Sequence, residues 1–221
     1  YPSVRRDPAK LPYPSWPRLL NAAQKVNGNI QAIVLAAGLG RRFGDEPKQL
    51  AMLKGKMLIA HVLEKIPQQL EPIIVTRRDI QAEIAHLAPD ATILVNERPE
   101  IGLSESLKLG LQALEKNYHA MIFLADMPFV QENTIHQLLT KFDGTMALAP
   151  SFGGKRGHPV CLPSSMIAKA MKIVGDEGLG KLLGKEVHCS LLECQDRGIL
   201  MDVDEKKYKE TVKWIRLAAE Q

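Results

Sequence analysis

The chain has 221 residues, of which 45% are hydrophobic and 24% are charged, and it carries a formal net charge of +4. A chain of this length can bury a full-sized core, and its near-average composition excludes a disordered or fibrous protein. No apolar run approaches the ~20 residues that cross a bilayer, so we expect no membrane partner. The mild positive charge and the aromatic content of 5% also argue against nucleic acid as a partner, since that needs a basic groove and stacking side chains.

The amino-terminal segment and the cysteines bear on organisation and location. Five of the 14 prolines lie within residues 1–29, which predicts an arm or linker there and a single domain over residues 30–221. Cys161, Cys189 and Cys194 have spacings that match neither a disulfide framework nor paired zinc ligands. We therefore expect reduced thiols in a cytoplasmic protein.

From residue 30 onward, short apolar runs alternate with amphipathic stretches, which predicts a Rossmann-like, doubly wound α/β fold with a mostly parallel sheet and helices on both faces. The predicted strands cover residues 30–38, 72–76, 92–96, 119–126 and 145–150. The predicted helices between them cover residues 57–66, 79–86, 104–116 and 133–142. Beyond residue 150 we expect a loop at 153–163, a helix at 164–174, a strand at 187–192 and a final helix from about residue 204.

The most informative segment is LAAGLGRRFGDEPKQL, residues 35–50, which follows the first predicted strand. Glycines at the carboxyl end of such a strand let the backbone approach a nucleotide closely, with N–H groups free to bind phosphate oxygens. Arg41, Arg42 and Lys48 would then neutralise the phosphates. The spacing matches neither the GxxxxGK[ST] phosphate loop nor the GxGxxG dinucleotide motif. The alternative interpretation is a glycine-rich turn whose cations face solvent.

A carboxylate ends the fourth predicted strand, in the segment FLADMPFV. Ligands of an open α/β sheet collect outside the carboxyl ends of the strands, so Asp126 should stand beside the glycine loop. A carboxylate next to a triphosphate indicates Mg²⁺, which prefers oxygen ligands. The alternative is that Asp126 only caps the turn that Pro128 forces.

These two segments, together with four later ones, resemble the MobA-like nucleotidyltransferase family, and in particular its molybdenum-cofactor cytidylyltransferases. LAAGLGRRFGDEPKQL is similar to the family signature LAAGxSxRMGxxKxLL, and FLADMPFV is similar to its metal-binding DMPF element. The later segments are NERPEIGLSESLKLGLQAL, GKRGHPVCL, GDEGLGKLL and LMDVDEKKYKE. The resemblance runs in the family's order from about residue 30 to the end of the chain. It implies a nucleotide-diphospho-sugar transferase-like form of the predicted fold.

The resemblance implies transfer of CMP from CTP to the phosphate of a molybdopterin-type acceptor, with release of pyrophosphate and with Mg²⁺ as cofactor. CTP is implied by Ala37, because guanylyl-transferring relatives tend to have LAGG where this chain has LAAG; another NTP remains open. A molybdoenzyme that receives the product is a further implied partner. The alternatives are a sugar or polyol phosphate as acceptor, or a non-catalytic chaperone that binds the nucleotide or the cofactor.

The resemblance also assigns site residues by their match to the family's motifs. The catalytic residues are Arg42, Lys48 and Asp126. The nucleotide-binding residues are Leu35, Ala36, Ala37, Gly38, Gly40, Arg42, Lys48, Thr76 and Ser106. The acceptor-binding residues are Arg156, Gly157, His158, Asp176 and Lys181. The metal ligands are Asp126 and Asp204.

Three departures from the family pattern bear on these assignments. Gly40 replaces the signature serine, so only a backbone N–H is left there to meet phosphate or ribose. Gly180 stands where the family has arginine, and the ammonium group of the adjacent Lys181 would not give the bidentate contact of a guanidinium. Asp202 and Asp204 are followed by EKK in place of TPE, which leaves both as candidates for the second metal ligand.

Some of the polar side chains also have structural interpretations. Arg41 falls on a variable position of the signature, and we expect it to be solvated. Ser104 is a candidate N-cap of the helix that carries Ser106. His158 is equally well explained as a residue that holds the turn before Pro159. The other histidines share no ligand spacing and are expected to be structural.

Overall fold

The computed structural model describes residues 29–40, 43, 47–175, 178–181, 183 and 189–203. Its strands are β1 (Ile30–Leu35), β2 (Met52–Leu53), β3 (Lys56–Met57), β4 (Ile73–Thr76), β5 (Thr92–Val95), β6 (His119–Leu124), β7 (Ala147–Phe152), β8 (Lys155–Arg156), β9 (Val160–Leu162) and β10 (Cys189–Glu193). Its α-helices are α1 (Leu58–Leu63), α2 (Gln81–Leu87), α3 (Leu103–Gln112), α4 (Glu132–Lys141), α5 (Ile167–Ala170) and α6 (Gly178–Lys181). Short 3₁₀ turns include Lys48–Leu50, Arg78–Ile80, Ser164–Met166 and Arg197–Leu200.

Within the described residues, eight strands form one mixed, mostly parallel sheet. Its order is β10-β7-β9-β6-β1-β4-β5, and β8 pairs with β7 outside this path. β6, β1, β4 and β5 run parallel to one another. β9 lies antiparallel to both β6 and β7, and β10 is parallel to β7. The predicted α/β fold with a mostly parallel sheet is therefore confirmed.

Helices cover both faces of the sheet, as predicted. On one face, α1 and α2 pack side chains such as Ile59 and Ile84 into the core, and α4 packs beside them. On the other face, α3 packs Leu107 against the strands, together with α5. A Cβ at Gly110 of α3 would lie 2.5 Å from Ile33 Cγ2, so this helix crosses β1 at a distance that only glycine allows. Burial on both faces explains the near-continuous apolar sequences of β1 and β6.

The less regular part of the sequence departs from prediction. The loop expected at 153–163 is wrong in part, because β8 and β9 lie within it. The helix expected at 164–174 is a 3₁₀ turn followed by the four-residue α5, and the strand expected at 187–192 is β10. The β2–β3 hairpin was not predicted. These unpredicted strands have two or three residues each, too few to show a hydrophobic period.

The expected arm, apart from Asn29, and the helix expected from residue 204 fall outside the described residues. Among the helices that are described, none combines the length and the apolar character needed to span a membrane. The features that position the candidate site are the carboxyl ends of β1, β4 and β6, which are central strands of the sheet.

Candidate active site

The carboxyl ends of three adjacent strands meet at one edge of the sheet. Leu35, the last residue of β1, is in register with Val75 of β4 on one side and with Leu124 of β6 on the other. The glycine loop and Asp126, which follow β1 and β6, therefore emerge side by side. This edge is where an open α/β sheet binds ligands.

Lys48 and Asp126 form an ion pair at this edge, with 2.7 Å between Lys48 Nζ and Asp126 Oδ2. Lys48 begins the 3₁₀ turn that follows the glycine loop, and its side chain is 13% exposed, against 30% for that of Asp126. The backbone carbonyl of Asp126 accepts a hydrogen bond of 2.8 Å from the Val203 N–H. The fold thus brings together a cation and a carboxylate that lie 78 positions apart in the sequence.

The start of the glycine loop is held from the protein side. Ala36 and Ala37 are buried, whereas Gly38 is exposed. The Gly38 carbonyl accepts two hydrogen bonds, one of 2.7 Å from Gln49 Nε2 and one of 2.9 Å from Arg77 Nη1. The first turn of the loop is therefore fixed by side chains from two other segments.

Gly40 has a conformation that explains its departure from the signature serine. Its φ angle is +57°, in the left-handed region, so a serine here would be strained. The Gly40 carbonyl accepts a hydrogen bond of 2.7 Å from the Phe43 N–H. Arg41 and Arg42 fall outside the described residues, and their predicted roles stay predictions.

Polar residues at the ends of β4 and β5 lie at the same edge. Thr76 is fully buried, and its Oγ1 has no hydrogen-bond partner among the described residues. Asn96 donates its N–H to the Thr76 carbonyl at 2.8 Å and its Nδ2 to Ser106 Oγ at 3.0 Å. Thr76 and Ser106, both predicted nucleotide contacts, are thereby connected through Asn96. The predicted N-cap role of Ser104 is wrong, since the N-cap of α3 is Gly102 and no side chain caps this helix.

Two residues of the RGHPV segment make internal contacts. Arg156 donates from Nη2 to the Gly180 carbonyl at 2.9 Å and from Nη1 to the Leu183 carbonyl at 3.0 Å. A Cβ at Gly157 would lie 2.3 Å from the Ile199 carbonyl oxygen, so packing alone requires glycine there. Acceptor binding by these residues stays a prediction beside these structural roles.

His158 is held in a neutral state close to Asp126. Its backbone N–H donates a hydrogen bond of 3.1 Å to the Ile199 carbonyl. Its ring Nδ1 is shielded from solvent and has no hydrogen-bond partner among the described residues. Burial lowers the pKa of His158 from 6.5 to about 4, although a hydrogen bond with the Ile122 backbone and the charge of Asp126 oppose this shift. The imidazole is therefore uncharged at neutral pH, which suits a turn-holding role and also allows it to accept a hydrogen bond.

The described part of the site fits a divalent cation that is shared with phosphates. No group of three or more His, Cys, Asp or Glu with metal-ligand geometry occurs among the described residues. Mg²⁺ commonly takes one or two carboxylates and completes its shell with water and phosphate oxygens, so Asp126 alone is a suitable anchor. Asp202 is described, but Asp204 and Asp176 are not, and of Lys181 only the backbone in α6 is described.

Two residues that contact the glycine loop were not among the predicted site residues. Arg77 is 7% exposed and forms a bidentate pair with Asp79, with 2.9 Å in both hydrogen bonds. This pair holds the pKa of Asp79 below its ordinary value. The position of Gln49 beside Lys48 was a usable signal. Nothing in the sequence separates the buried Arg77 from its exposed neighbour Arg78.

The sequence is similar to those of known proteins. The model of the MobA-like NTP transferase domain matches residues 32–189. Nicotine blue oxidoreductase from Paenarthrobacter nicotinovorans is 27% identical over 188 residues, which are 79% of this chain and 92% of that protein. A probable molybdenum cofactor guanylyltransferase from Methanosarcina acetivorans is 31% identical over 126 residues, which are 54% of this chain and 56% of that protein.

Solved structures share the fold. The crystal structure of Rv0371c from Mycobacterium tuberculosis H37Rv superposes with a TM-score of 0.72 at 22% identity, over 84% of this chain and 98% of that one. A complex of the same protein with manganese gives a TM-score of 0.69 at 20% identity, with the same coverage. At this level of identity the likeness establishes the fold.

Proposed function

Because the chain belongs to the MobA-like NTP transferase family, we propose that it transfers a nucleoside monophosphate from a nucleoside triphosphate to the phosphate of a small acceptor. The observation that carries this proposal is the ion pair of Lys48 with Asp126 at the carboxyl edge of the sheet. A cation suited to phosphate oxygens and a carboxylate suited to a metal stand together there, beside the glycine loop.

The reaction needs alignment and charge stabilisation more than acid–base chemistry. An acceptor phosphate oxygen forms a bond to the α-phosphorus of the triphosphate, the bond from that phosphorus to the bridging oxygen breaks, and pyrophosphate leaves with the electron pair. In this proposal Lys48 and Arg42 bind the β and γ phosphates and stabilise the charge that develops on the leaving group. Mg²⁺, held by Asp126 and Asp204, would neutralise and align the phosphate oxygens.

The nucleoside is assigned to the strand ends. The backbone of residues 35–38 and Gly40 meets the base and phosphates, and the buried hydroxyls of Thr76 and Ser106 supply polar contacts at the same edge. Asn96, which bonds to the Thr76 carbonyl and to Ser106 Oγ, holds these two groups at that edge.

We propose CTP as the preferred nucleotide and a molybdopterin-type phosphate as the acceptor. The choice of CTP depends on Ala37, whose Cβ would narrow a base site that follows β1. The relative from Methanosarcina acetivorans carries the name of a guanylyltransferase, which makes GTP the direct competitor. Arg156, Gly157, His158, Asp176 and Lys181 are the proposed acceptor-binding residues, and a molybdoenzyme is the proposed recipient of the product.

Pyrophosphate release tests the proposal. The purified protein is mixed with CTP, GTP, ATP or UTP, with Mg²⁺ or Mn²⁺, and with molybdopterin or a panel of sugar and polyol phosphates. Pyrophosphate release with CTP and molybdopterin, and with no other pair of nucleotide and acceptor, supports the full proposal. Release with GTP instead of CTP would correct only the proposed nucleotide. Release with a sugar phosphate instead of molybdopterin would correct only the proposed acceptor. Binding of nucleotide without release under every condition contradicts catalysis and favours a carrier.

A second candidate function follows from one relative. The alignment with nicotine blue oxidoreductase covers 92% of that protein, so it includes nearly all of a chain whose name denotes redox chemistry. In this alternative the same edge of the sheet binds a reducible organic compound. Oxidation of a nicotinamide reductant that depends on such a compound, together with no pyrophosphate release from any NTP, would favour it.

A further inference from the structure

We propose that Arg77 and Gln49 form a clamp on the Gly38 carbonyl that positions the Leu39 N–H as a hydrogen-bond donor to the nucleotide. This inference rests on the proposed function, since it assigns positioning residues to the same site. Together, Arg77 and Gln49 form what we call the Gly38 clamp.

The Gly38 carbonyl is a junction of three segments. It follows β1. It accepts a hydrogen bond of 2.9 Å from Arg77 Nη1, just after β4, and one of 2.7 Å from Gln49 Nε2, in the turn that begins with Lys48. A carbonyl oxygen has two lone pairs, so these two bonds use its full capacity. Both donors are nearly inaccessible to solvent, at 7% exposure for Arg77 and 5% for Gln49. Water is therefore a poor substitute for either bond, and the peptide plane is fixed.

Asp79 fixes the orientation of the guanidinium in the Gly38 clamp. Arg77 Nε and Nη2 donate to the two carboxylate oxygens of Asp79, each at 2.9 Å. A bidentate pair of this kind sets the plane of the guanidinium as well as its position. The remaining nitrogen, Nη1, is the atom that reaches Gly38.

Because the clamp fixes the Gly38 carbonyl, it also fixes the direction of the Leu39 N–H in the same peptide plane. The Gly38–Leu39 bond is trans, so the Leu39 N–H points opposite to the Gly38 carbonyl. The carbonyl faces the buried clamp, and the N–H therefore faces the outer side of the loop. No residue in the described ranges accepts a hydrogen bond from this N–H.

Space for a ligand exists on that outer side. Gly38 is exposed, and a Cβ built on it meets nothing closer than Gln49 Nε2 at 3.8 Å. Protein packing therefore does not require glycine at this position, and its φ angle does not lie in the left-handed region either. A glycine that neither packing nor conformation demands keeps the backbone open to close approach by a ligand.

Gln49 also couples the loop to the cation of the site. The residue before it is Lys48, which pairs with Asp126, so one short turn holds both the Gly38 carbonyl and the phosphate-binding ammonium. Loss of the Gln49 hydrogen bond should therefore displace the Leu39 N–H relative to Lys48. Because the two groups would then no longer be aligned with the same nucleotide, nucleotide affinity and turnover should fall together.

The experiment measures nucleotide binding directly. Calorimetry with CTP and with GTP, each with Mg²⁺, gives dissociation constants for wild type, Arg77→Met and Gln49→Glu. Gln49→Glu nearly preserves shape but replaces the donor with an acceptor that faces a carbonyl oxygen. We expect affinity for the better nucleotide to fall roughly 10- to 100-fold in each variant, the range typical of outer residues that orient a site.

Two controls separate positioning from a general loss of structure. Arg78→Met removes the neighbouring exposed arginine, which pairs with Glu97, and should leave nucleotide affinity unchanged. Arg77→Lys keeps the positive charge but has a single ammonium group to bind both Asp79 and the Gly38 carbonyl. We therefore expect its nucleotide affinity to lie between those of Arg77→Met and wild type. In ¹⁵N spectra, nucleotide should shift the Leu39 amide of wild type, and this shift should shrink in Gln49→Glu.

The outcomes are distinguishable. Wild-type affinity in folded Arg77→Met and Gln49→Glu, or a Leu39 amide that does not respond to nucleotide bound by wild type, overturns the clamp and leaves the proposed function intact. Failure of the wild-type protein to bind any NTP overturns the proposed function itself.

Discussion

Lys48 and Asp126 neutralise each other at the edge of the sheet, and each has a separate task in the proposed reaction. Removal of the ammonium takes away one preorganised donor to the leaving group. We expect Lys48→Ala to lower kcat/KM for pyrophosphate formation roughly 10²- to 10³-fold. A coupled pyrophosphate assay measures the change. Lys54→Ala, in the exposed turn between β2 and β3, is the matched control and should keep full turnover; equal activity in both variants would remove Lys48 from the site.

Asp126 offers a test that separates metal binding from folding. Asp126→Asn removes the charge that a divalent cation needs, so activity should fall at all Mg²⁺ concentrations and Mn²⁺ should bind more weakly, as electron paramagnetic resonance can measure. The pair with Lys48 is partly exposed, and such pairs contribute only about 0–1 kcal/mol, so Tm should change little. Asp90→Asn, on an exposed turn, is the control. A large loss of Tm with normal metal affinity would show that the carboxylate serves the fold.

Ala37 is the residue on which the choice of base depends. It is 2% exposed and lies two residues after β1. In the proposed base site, its Cβ would take up space that a purine needs. We expect CTP to exceed GTP in kcat/KM, and Ala37→Gly to narrow the difference by no more than about 1–3 kcal/mol, the usual range for steric discrimination. Competition of the two nucleotides in one assay measures it. A wild-type preference for GTP would contradict cytidylyl transfer without affecting the roles of Lys48 and Asp126.

At the scale of elements, Asp196 joins the start of α4 to the 3₁₀ turn Arg197–Leu200. Asp196 is 2% exposed, and its carboxylate accepts hydrogen bonds of 2.8 Å from the Gln131 N–H, from Thr134 Oγ1 and from the Gly198 N–H. It therefore satisfies donors at the start of α4 from a segment 65 positions away. We expect Asp196→Ala to lower the free energy of unfolding by about 1.5–3 kcal/mol, since charge-assisted bonds and buried donors are lost. Urea denaturation measures this loss, and Thr134→Val should cost less because it removes one bond; equal losses would contradict the shared-cap role.

The elements differ, for a physical reason, in how well their sequences predict them. β1 and β6 are buried on both faces, so their apolar runs identified them, and the order of strands and helices then predicted where their carboxyl ends meet. That placement was enough to bring Lys48 and Asp126 together. β9 has three residues and follows a Gly- and Pro-containing segment, so no local pattern indicated that it inserts antiparallel between β6 and β7. The Gly38 clamp was equally invisible, because burial of Arg77 depends on tertiary packing.

At the scale of the whole molecule, β9 determines how the two halves of the sheet are joined. Its antiparallel pairing with β6 and β7 places the RGHPV segment, which precedes it, at the same edge as the end of β6. His158 consequently lies near Asp126, although the two are far apart in the sequence. Of the proposed acceptor-binding residues, His158 is therefore close to the proposed metal ligand because of one three-residue strand.

His158 also links the stability of the whole fold to pH. Burial lowers its pKa from 6.5 to about 4, so between these pH values the unfolded chain binds a proton that the folded protein does not. Stability should therefore fall as pH decreases from 6.5 towards 4, and His158→Gln should show a shallower decline of Tm over this window. The lowered pKa values of Asp79 and Glu193 act in the same direction, but only near and below their ordinary values of 3.8 and 4.5. Calorimetric Tm measured across the window tests this, and identical slopes for the two proteins would show that His158 is not buried in its neutral form.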